Sequence, residues 1–409
     1  MKLWLRFLIG TILGLIFGAY LPVNQDSMNI MEILQKLIVN IGLYAIFPMI
    51  FFSIGAAVVE LKNDGRLLML CLRLVLYLLA ATVVLTILGM ISVLLFSPER
   101  ILIGREQPVE FSLMPFRDFL FSVFPENTFG VFEGKGFFLL PVYVAALVLG
   151  LNLSFDKVTT RPVLQLFDSF SRIFFHLNKY IVKFLSFGMV VITAYFLFQI
   201  RSTEEIVYFR QLALLFTVNA VLVVFGLLPL LMYFLGGKQN PYKFLFGSVS
   251  TLLIAFLSGN SFTTLPLIIK NGKNNLGIPR KVGAVSYPLF VMFGRAGTAM
   301  ITSISFITIL RSYTSLGLDL KHILDIFLFS AGLSFIAGTT NSAGIFAVIA
   351  IMCGIYGEQI ENGYLILKPA IPLLISFSAF IDTAVMIFAS ALVCKHENYL
   401  EDTEVRDMI

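Results

Sequence analysis

The chain has 409 residues, of which 58% are hydrophobic and only 13% are charged. Soluble domains carry about 25% charged residues, so this composition excludes an ordinary soluble fold and indicates a membrane protein. The 29 Lys and Arg against 24 Asp and Glu give a net charge of +5, which is spread over short segments and argues against nucleic-acid binding. Cys71, Cys353 and Cys394 have neither disulfide nor zinc spacing, and we predict no cofactor and no metal site.

Long apolar segments predict eight transmembrane helices, because a bilayer core about 30 Å thick requires about 20 apolar residues in a helix. The first segment follows Lys2 and Arg6 but lacks a cleavage pattern of small residues, so we interpret it as a retained helix. Basic residues in alternate loops, such as Lys62 and Arg66, predict that both termini are cytoplasmic. The eight predicted spans cover residues 3–21, 32–59, 67–96, 137–151, 164–199, 206–235, 282–310 and 365–394.

The fifth predicted span carries a row of basic side chains near its start. Arg172, His176, Lys179 and Lys183 recur at three- and four-residue spacing, so they share one helix face. We interpret the row as side chains that reach the lipid headgroups. The sequence shows no clustered histidines, no nucleophile with a base and no phosphate-binding glycine loop, so we predict that the chain is not an enzyme.

Two further apolar segments are each interrupted by a polar run. Residues 258–266 interrupt the segment 241–277, which has basic residues at both ends, and residues 337–344 interrupt the segment 323–355. A hairpin that enters and leaves the bilayer on one side keeps the basic ends together and shields its polar turn. We therefore predict two re-entrant helical hairpins, with one helix kinked at Pro266 as the alternative for the first. Two such segments in corresponding halves, each followed by a full span, indicate an inverted-repeat secondary transporter.

Two charged residues lie deep in predicted spans. Arg295 stands about 13 residues, or roughly 20 Å of helix, from the nearer end of its span, and Asp382 is equally deep in the last span. An arginine at that depth costs about 3 kcal/mol, so it should face a cavity or an anionic partner. Gly294 and Gly297 allow local unwinding beside it. We predict that both charges line a substrate site with the hairpin tips, Asp382 suited to an ammonium and Arg295 to a carboxylate; the alternative is an ion pair that only fixes helix packing.

At these residues the sequence resembles the dicarboxylate/amino acid:cation symporters, the family of glutamate/aspartate and neutral amino-acid transporters. Residues 125–130, Pro-Glu-Asn-Thr-Phe-Gly, are similar to a Pro-x-Asn-x-Phe-Gly element of that family, and residues 260–266 are similar to its first hairpin tip. The resemblance implies an all-α, elevator-type transporter that forms a homotrimer in the inner or plasma membrane. It implies that residues 1–235 are mostly scaffold and that residues 236–395 form the transport core with which spans 3 and 6 move. The polar and acidic composition of residues 396–409 separately predicts a solvated cytoplasmic tail.

The cation-site residues of that family are replaced in this sequence. Where members carry Asn-Met-Asp-Gly-Thr, residues 294–298 read Gly-Arg-Ala-Gly-Thr, so Ala296 occupies the position of a sodium-binding aspartate. Asp382 matches the aspartate that binds the substrate's amino group, and Ala389 or a neighbour replaces a sodium-site asparagine. A sodium ion beside Arg295 would leave unpaired positive charge in a low dielectric. We therefore predict sodium-independent transport with Arg295 in place of bound sodium.

The predicted substrate is an amino acid or a C4-dicarboxylate. Val385 occupies the position of the arginine that acidic-substrate members carry, which by resemblance favours neutral substrates, but Arg295 attracts carboxylates and favours glutamate or aspartate. The alternatives are a conventional sodium- or proton-coupled glutamate/aspartate symporter, an anion channel, and a paralogue with only a structural or regulatory role. The predicted substrate-binding residues are Asn260, Ser261, Thr263, Thr264, Arg295, Gly297, Thr298, Thr339, Thr340, Asn341, Ser342 and Asp382, and the diverged cation positions are Gly294, Arg295, Ala296 and Ala389.

Overall fold

The computed structural model describes residues 2–101, 116–132, 139–156, 158–237, 240–313, 319–335, 344–357, 360–404 and 408. Within these ranges the regular structure is helical and no strand occurs. The α-helices are α1 Leu3–Tyr20, α2 Gln25–Leu43, α3 Ile46–Asn63, α4 Leu67–Leu95, α5 Phe116–Val123, α6 Leu140–Leu153, α7 Arg161–Ser202, α8 Arg210–Val221, α9 Leu228–Leu235, α10 Tyr242–Gly247, α11 Val249–Ser258, α12 Leu265–Asn274, α13 Arg280–Phe293, α14 Ala296–Tyr313, α15 Leu320–Ser334, α16 Gly344–Tyr356 and α17 Ile371–His396.

Seven helical stretches of the described chain are long and apolar enough to cross a membrane. They are Leu3–Tyr20, Gln25–Asn63, Leu67–Leu95, Arg161–Ser202, Glu205–Leu235, Arg280–Tyr313 and Gly363–His396. The all-α membrane fold is thereby confirmed. The remaining predicted span, 137–151, corresponds to the shorter helix α6, so the count of eight stays a prediction.

Helix α1 lies parallel to the second half of α7. Gly10, Gly14 and Gly18 bring α1 against the backbone of Ser186, Val190 and Ala194, each four residues further along α7. Small residues at this spacing let two helix backbones approach closely where lipid supplies no hydrophobic driving force between them. These three contacts therefore fix the register in which α1 and α7 pack against each other.

The best buried helices are at the centre of the molecule. The most apolar window of Arg280–Tyr313 is 94% buried, compared with 28% for Leu3–Tyr20. α14 is enclosed by α4, α15, α16 and α17, and α17 also contacts α8, α9 and α11. A polar group on α14 or α17 is therefore shielded from lipid by other helices.

The first interrupted segment forms a helical hairpin. Asn271 Nδ2 donates to Ser250 Oγ over 2.9 Å, and Asn275 Nδ2 donates to the Gly247 carbonyl over 2.8 Å, so α12 returns alongside α10 and α11. The chain reverses after Gly259, whose φ of 60° lies in the left-handed region that favours glycine. The alternative of one kinked helix is wrong; entry of this hairpin, which we call hairpin 1, into a bilayer from one side stays a prediction. For the second interrupted segment, α15 and α16 contact each other, and the turn 336–343 lies outside the described residues.

The segment after α17 packs against the helices. Glu397 is buried beside Arg73, with Oε1 2.9 Å from Nη1. Further along, the backbone N–H of Glu401 donates to the Gly277 carbonyl over 2.8 Å, and the Thr403 hydroxyl donates to the Asn275 carbonyl over 2.9 Å. The prediction of a solvated tail is wrong at Glu397, which is buried. The side chains of Asn398, Glu401 and Asp402 are exposed, but the ends of hairpin 1 supply backbone acceptors that attach this segment and that the sequence pattern does not reveal.

Candidate functional site

A break between α13 and α14 creates a helix N-terminus inside the molecule. Gly294 has a non-helical ψ of 68°, and the carbonyl of Arg295 accepts the first hydrogen bond of α14, from the Ala299 N–H over 2.9 Å. A Cβ at position 294 would lie 2.6 Å from the Phe290 carbonyl oxygen, so glycine is needed at this bend. The first turn of α14 is thus left with N–H groups that have no partner within the helix.

Asp382 of α17 accepts the hydrogen bonds that this helix end offers. Its Oδ1 accepts from the backbone N–H groups of Gly297 at 2.6 Å and Thr298 at 3.1 Å, and its Oδ2 accepts from the Thr298 hydroxyl at 2.7 Å. The residue is 3% exposed. A carboxylate at a helix N-terminus is stabilised both by the free N–H groups and by the helix dipole. The aspartate therefore holds the broken span against the last helix.

Gly297 allows this close approach. A Cβ on it would lie 2.6 Å from Ile381 Cβ and 2.9 Å from the Asp382 nitrogen. Any larger residue would push α14 away from α17 and separate the carboxylate from its donors. Gly297 therefore contributes to the contact with Asp382 through backbone packing as well as through its N–H, and a role for it in substrate binding stays a prediction.

Arg295 lies beside the carboxylate but does not saturate it. Its Nη1 is 3.9 Å from Asp382 Oδ2, at the long end of ion pairing, and the residue is 8% exposed. Its guanidinium carbon lies 5.7 Å from the ring centroid of Phe262 in hairpin 1. Its Nε is buried and has no hydrogen-bond partner among the described residues. The predicted pairing thus exists, and the guanidinium retains a donor that no described protein group fills.

The turn of hairpin 1 uses most of its polar side chains on itself. Asn260 Oδ1 accepts from the Phe262 N–H at 2.9 Å, the Thr263 hydroxyl donates to the Asn260 carbonyl at 2.6 Å, and the Thr264 hydroxyl donates to the Ser261 carbonyl at 2.6 Å. The Ser261 hydroxyl is buried without a partner in the described part of the chain. Of the four predicted residues, Ser261 is therefore the one whose side chain is buried with an unused hydrogen-bonding group.

The other predicted positions divide into two groups. Ala296 and Ala389 are buried, at 1% and 6% exposure. Their methyl side chains offer no oxygen to a cation. The four predicted residues of the second hairpin, Thr339, Thr340, Asn341 and Ser342, lie outside the described residues.

Sequence reasoning missed two features of the site. One is Phe262, whose ring lies beside the guanidinium; an aromatic residue inside an otherwise polar turn is the signal that points to it. The other is a set of buried hydroxyls in α14 and α17 that have no partner among the described residues. These hydroxyls belong to Thr302, Ser305, Ser376, Thr383 and Ser390.

The comparisons with known proteins agree with the predicted family. A family profile described as the sodium:dicarboxylate symporter family matches residues 3–390. The neutral amino acid transporter B(0) of Macaca fascicularis is 27% identical over 284 residues, which cover 67% of this chain and 49% of the relative. The proton/sodium-glutamate symport protein of Bacillus subtilis is 23% identical, with 87% of this chain and 84% of the relative covered. An excitatory amino acid transporter of Caenorhabditis elegans is 22% identical over 86% of this chain and 81% of the relative.

The extent of these matches differs between relatives. The chain spans about half the length of the macaque protein and most of the length of the Bacillus and nematode proteins. The family profile, in contrast, extends over nearly the whole sequence and includes both halves of the broken span. With seven apolar helical stretches in the described residues, this chain is an integral multi-pass membrane protein that belongs to the sodium:dicarboxylate symporter family.

Proposed function

We propose that this protein is a secondary transporter that carries acidic amino acids or C4-dicarboxylates across the inner or plasma membrane without coupling to sodium. Its family and the transport activities named for its relatives support secondary transport. The observation that carries the substrate class is the buried guanidinium of Arg295, which has an unfilled donor beside the turn of hairpin 1.

A carboxylate is the ligand that best complements this guanidinium. Burying an arginine costs several kcal/mol of free energy unless an anion compensates its charge and acceptors bind its N–H groups. Asp382 meets the charge only from 3.9 Å, while its oxygens accept three shorter hydrogen bonds from Gly297 and Thr298. A substrate carboxylate can accept two parallel N–H bonds from the guanidinium fork, which a rigid aspartate held by α14 does not do here.

Asp382 has room for one more donor. A carboxylate offers about four acceptor sites, and three are occupied by Gly297 and Thr298. An α-amino acid carries its ammonium and its carboxylate on the same carbon. In the site, Asp382 Oδ2 and Arg295 Nη1 are likewise close together, 3.9 Å apart. The substrate ammonium is therefore proposed to bind Asp382 and the substrate carboxylate to bind Arg295, while a dicarboxylate uses Arg295 and the hydroxyl of Ser261.

The charge balance of the site supports the proposed sodium independence. Arg295 and Asp382 cancel each other, and the buried alanines at 296 and 389 add no carboxylate or amide. A bound sodium ion would add a charge that no described acidic side chain nearby compensates. One observation favours a sodium-coupled transporter as the second candidate: the unpartnered hydroxyls of Thr302, Ser305 and Ser390 are oxygen ligands of the kind a sodium ion accepts.

The division into a fixed and a moving part remains part of the proposal. α4 packs along α14, and α8 and α9 pack along α17, which supports movement of spans 3 and 6 with residues 236–395. α1, α2 and α7 pack mainly on one another and are proposed to belong to the scaffold of a homotrimer. An elevator movement would then carry hairpin 1, the broken span and α17 together as one body.

The proposal is tested by counterflow in liposomes that contain the purified protein. Vesicles loaded with glutamate are diluted into labelled glutamate, aspartate, succinate or alanine, with sodium or choline as the only external cation. We expect saturable exchange of the acidic substrates at equal rates in both cations. Exchange that disappears in choline would favour the sodium-coupled candidate, and a conductance that neither saturates nor exchanges label would identify an anion channel.

A further inference from the structure

Four basic residues from three separate helices lie together at one end of α1. Lys179 and Lys183 are exposed on α7, Lys270 is in α12, and the charges of Lys183, Lys179 and Arg6 all act on Lys270. The register set by Gly10 against Ser186, continued four residues back, puts Arg6 level with Val182. Arg6 is thus at the same height as the two lysines of α7.

The helices that carry these cations are tied together. Asn178 Nδ2 donates to the Pro266 carbonyl at the start of α12 over 2.8 Å. The ring centroid of Phe175 lies 6.0 Å from Lys179 Nζ and 5.9 Å from Lys273 Nζ, so one aromatic ring of α7 contacts a lysine from each helix. The arrangement is therefore a built feature of the contact between α7 and hairpin 1.

No acidic side chain of the described chain forms an ion pair with Arg6, Lys179, Lys183 or Lys270. The nearest carboxylate along α7, Asp168, is taken by Arg172 at 2.8 Å and by Arg280. The residue Lys270 is only 7% exposed, so most of its side chain is enclosed by the protein. Several cations gathered around a largely buried lysine repel each other and require an anion from outside the protein.

The surface next to the cations is apolar and outward-facing. Tyr180, Phe184 and Phe187 follow Lys179 along α7, in the direction in which α1 also runs, and are 57%, 44% and 73% exposed. Arg6 lies within the first two turns of the first candidate span, where phospholipid headgroups meet a membrane helix. A free phosphate would use the cations alone, whereas a phospholipid uses the cations and the apolar stripe together.

We infer that Arg6, Lys179, Lys183 and Lys270 bind the phosphate of an anionic phospholipid whose acyl chains lie along Tyr180, Phe184 and Phe187. Basic residues at a membrane surface attract anionic lipids, and each contributes roughly a fewfold to affinity. Because Lys270 belongs to hairpin 1 and the other three belong to α1 and α7, the lipid joins hairpin 1 to this helix pair.

Native mass spectrometry of the purified full-length protein tests the site without any transport measurement. The protein is mixed with phosphatidylglycerol or with phosphatidylcholine of the same acyl chains, and bound lipid is counted per subunit. We expect at least tenfold preference for phosphatidylglycerol, lost in the double variant Lys179→Gln, Lys183→Gln. The matched control is Lys36→Gln, Lys321→Gln, which removes the same charge from exposed lysines elsewhere and should keep the preference.

Further measurements distinguish a bound phospholipid from a free anion or a second copy of the chain. In a thermal unfolding assay, phosphatidylglycerol should raise the melting temperature of the parent protein but not that of the variant Lys270→Gln. Without added lipid, the variant should be folded and have the same melting temperature as the parent. Equal binding of both lipids, or unchanged binding by the double variant, would overturn the inference. So would full displacement of phosphatidylglycerol by millimolar inorganic phosphate, which would show a free-anion site, or a change of subunit number in the double variant, which would show that a second copy covers this face.

Discussion

The hydroxyl of Thr298 donates to Asp382 Oδ2 over 2.7 Å, although the two residues are 84 positions apart in the chain. Through this bond and the two backbone hydrogen bonds to its Oδ1, the buried Asp382 holds α14 against α17 in the absence of substrate. Under the proposed function, substrate binding and folding depend on the same carboxylate. Variants of the site have to be designed so that these two effects are separated.

Replacing Thr298 by valine removes one of the three donors and keeps the shape of the side chain. A hydrogen bond to a charged group contributes about 2 kcal/mol, so we expect the free energy of unfolding to fall by about that amount. Thr308→Val is the matched control, because its hydroxyl donates only to the Ile304 carbonyl within α14. Thermal unfolding in detergent measures both; equal losses in the two variants would contradict the special role of Thr298.

Replacing Arg295 by methionine keeps much of the volume and removes the guanidinium. We expect the dissociation constant for glutamate to rise by about 30-fold or more, since charge-assisted bonds to a carboxylate contribute about 2–3 kcal/mol. Arg311→Gln, at the other end of α14, should leave binding unchanged because Arg311 bonds to Val93 and Ser97 away from the site. Calorimetry measures the affinities, and an unaltered dissociation constant in the Arg295 variant would remove the guanidinium from the substrate site.

The charge argument also predicts how sodium coupling can be introduced. The double variant Arg295→Met, Ala296→Asp removes the fixed cation and places a carboxylate where the sequence has a buried alanine. We expect its substrate binding to strengthen at least tenfold when sodium replaces choline, while the parent protein shows no difference. Binding that ignores sodium in both proteins would show that Arg295 is not what excludes the ion.

Gly297→Ala tests the contact between α14 and α17. The added Cβ would lie 2.6 Å from Ile381 Cβ and 2.8 Å from the Ser378 carbonyl oxygen, so the helices must separate. Overpacking of this kind costs about 1–3 kcal/mol. Gly354→Ala in α16 has no neighbour within 4 Å and should instead stabilise its helix slightly. Melting temperatures that fall for position 297 and stay level or rise for position 354 are the expected result.

The packed segment after α17 gives a prediction for pH. Hydrogen bonds from Lys281 and then from Tyr399 lower the pKa of Asp64, at the turn between α3 and α4. Burial, followed by the bond to Asp64, raises the pKa of Tyr399 to about 12, so its phenol stays a donor at neutral pH. Because the pKa of Asp64 is lower in the folded state than in the unfolded state, its contribution to the stability of the folded state is complete above about pH 4. It is lost as the pH falls through the lowered value.

Hydrogen exchange of residues 397–403 measures this attachment. We expect constant protection between pH 5 and pH 8, after correction for the intrinsic exchange rate, and increased opening only below about pH 4. Tyr399→Phe removes one of the bonds that lower the pKa of Asp64 and should increase opening at every pH. Tyr242→Phe, which removes an exposed phenol bonded to the Phe225 carbonyl, is the control and should leave this segment unchanged. Opening that increases between pH 8 and pH 6 would assign the attachment to another group.

Sequence patterns predicted the helices and the first interrupted segment well, because hydropathy and polar breaks depend on residues that are neighbours in the chain. The same patterns did not predict the packing of residues 397–403. Their acidic residues read as a solvated end, but Glu397 faces Arg73 and the backbone of Glu401 bonds to Gly277. Such partners are distant in sequence, so no local pattern contains them.

The sequence by itself determined that this is a multi-pass membrane protein, that Arg295 and Asp382 lie deep in their spans, and to which family the chain belongs. Only the tertiary structure decided that Asp382 caps the internal start of α14 and that Arg295 keeps an unfilled donor. It also decided that hairpin 1, which carries Lys270, packs against α7, which carries Lys179 and Lys183. The physical reason is that depth and periodicity are properties of one segment, whereas hydrogen bonds and charge clusters depend on which helices pack together and in what register.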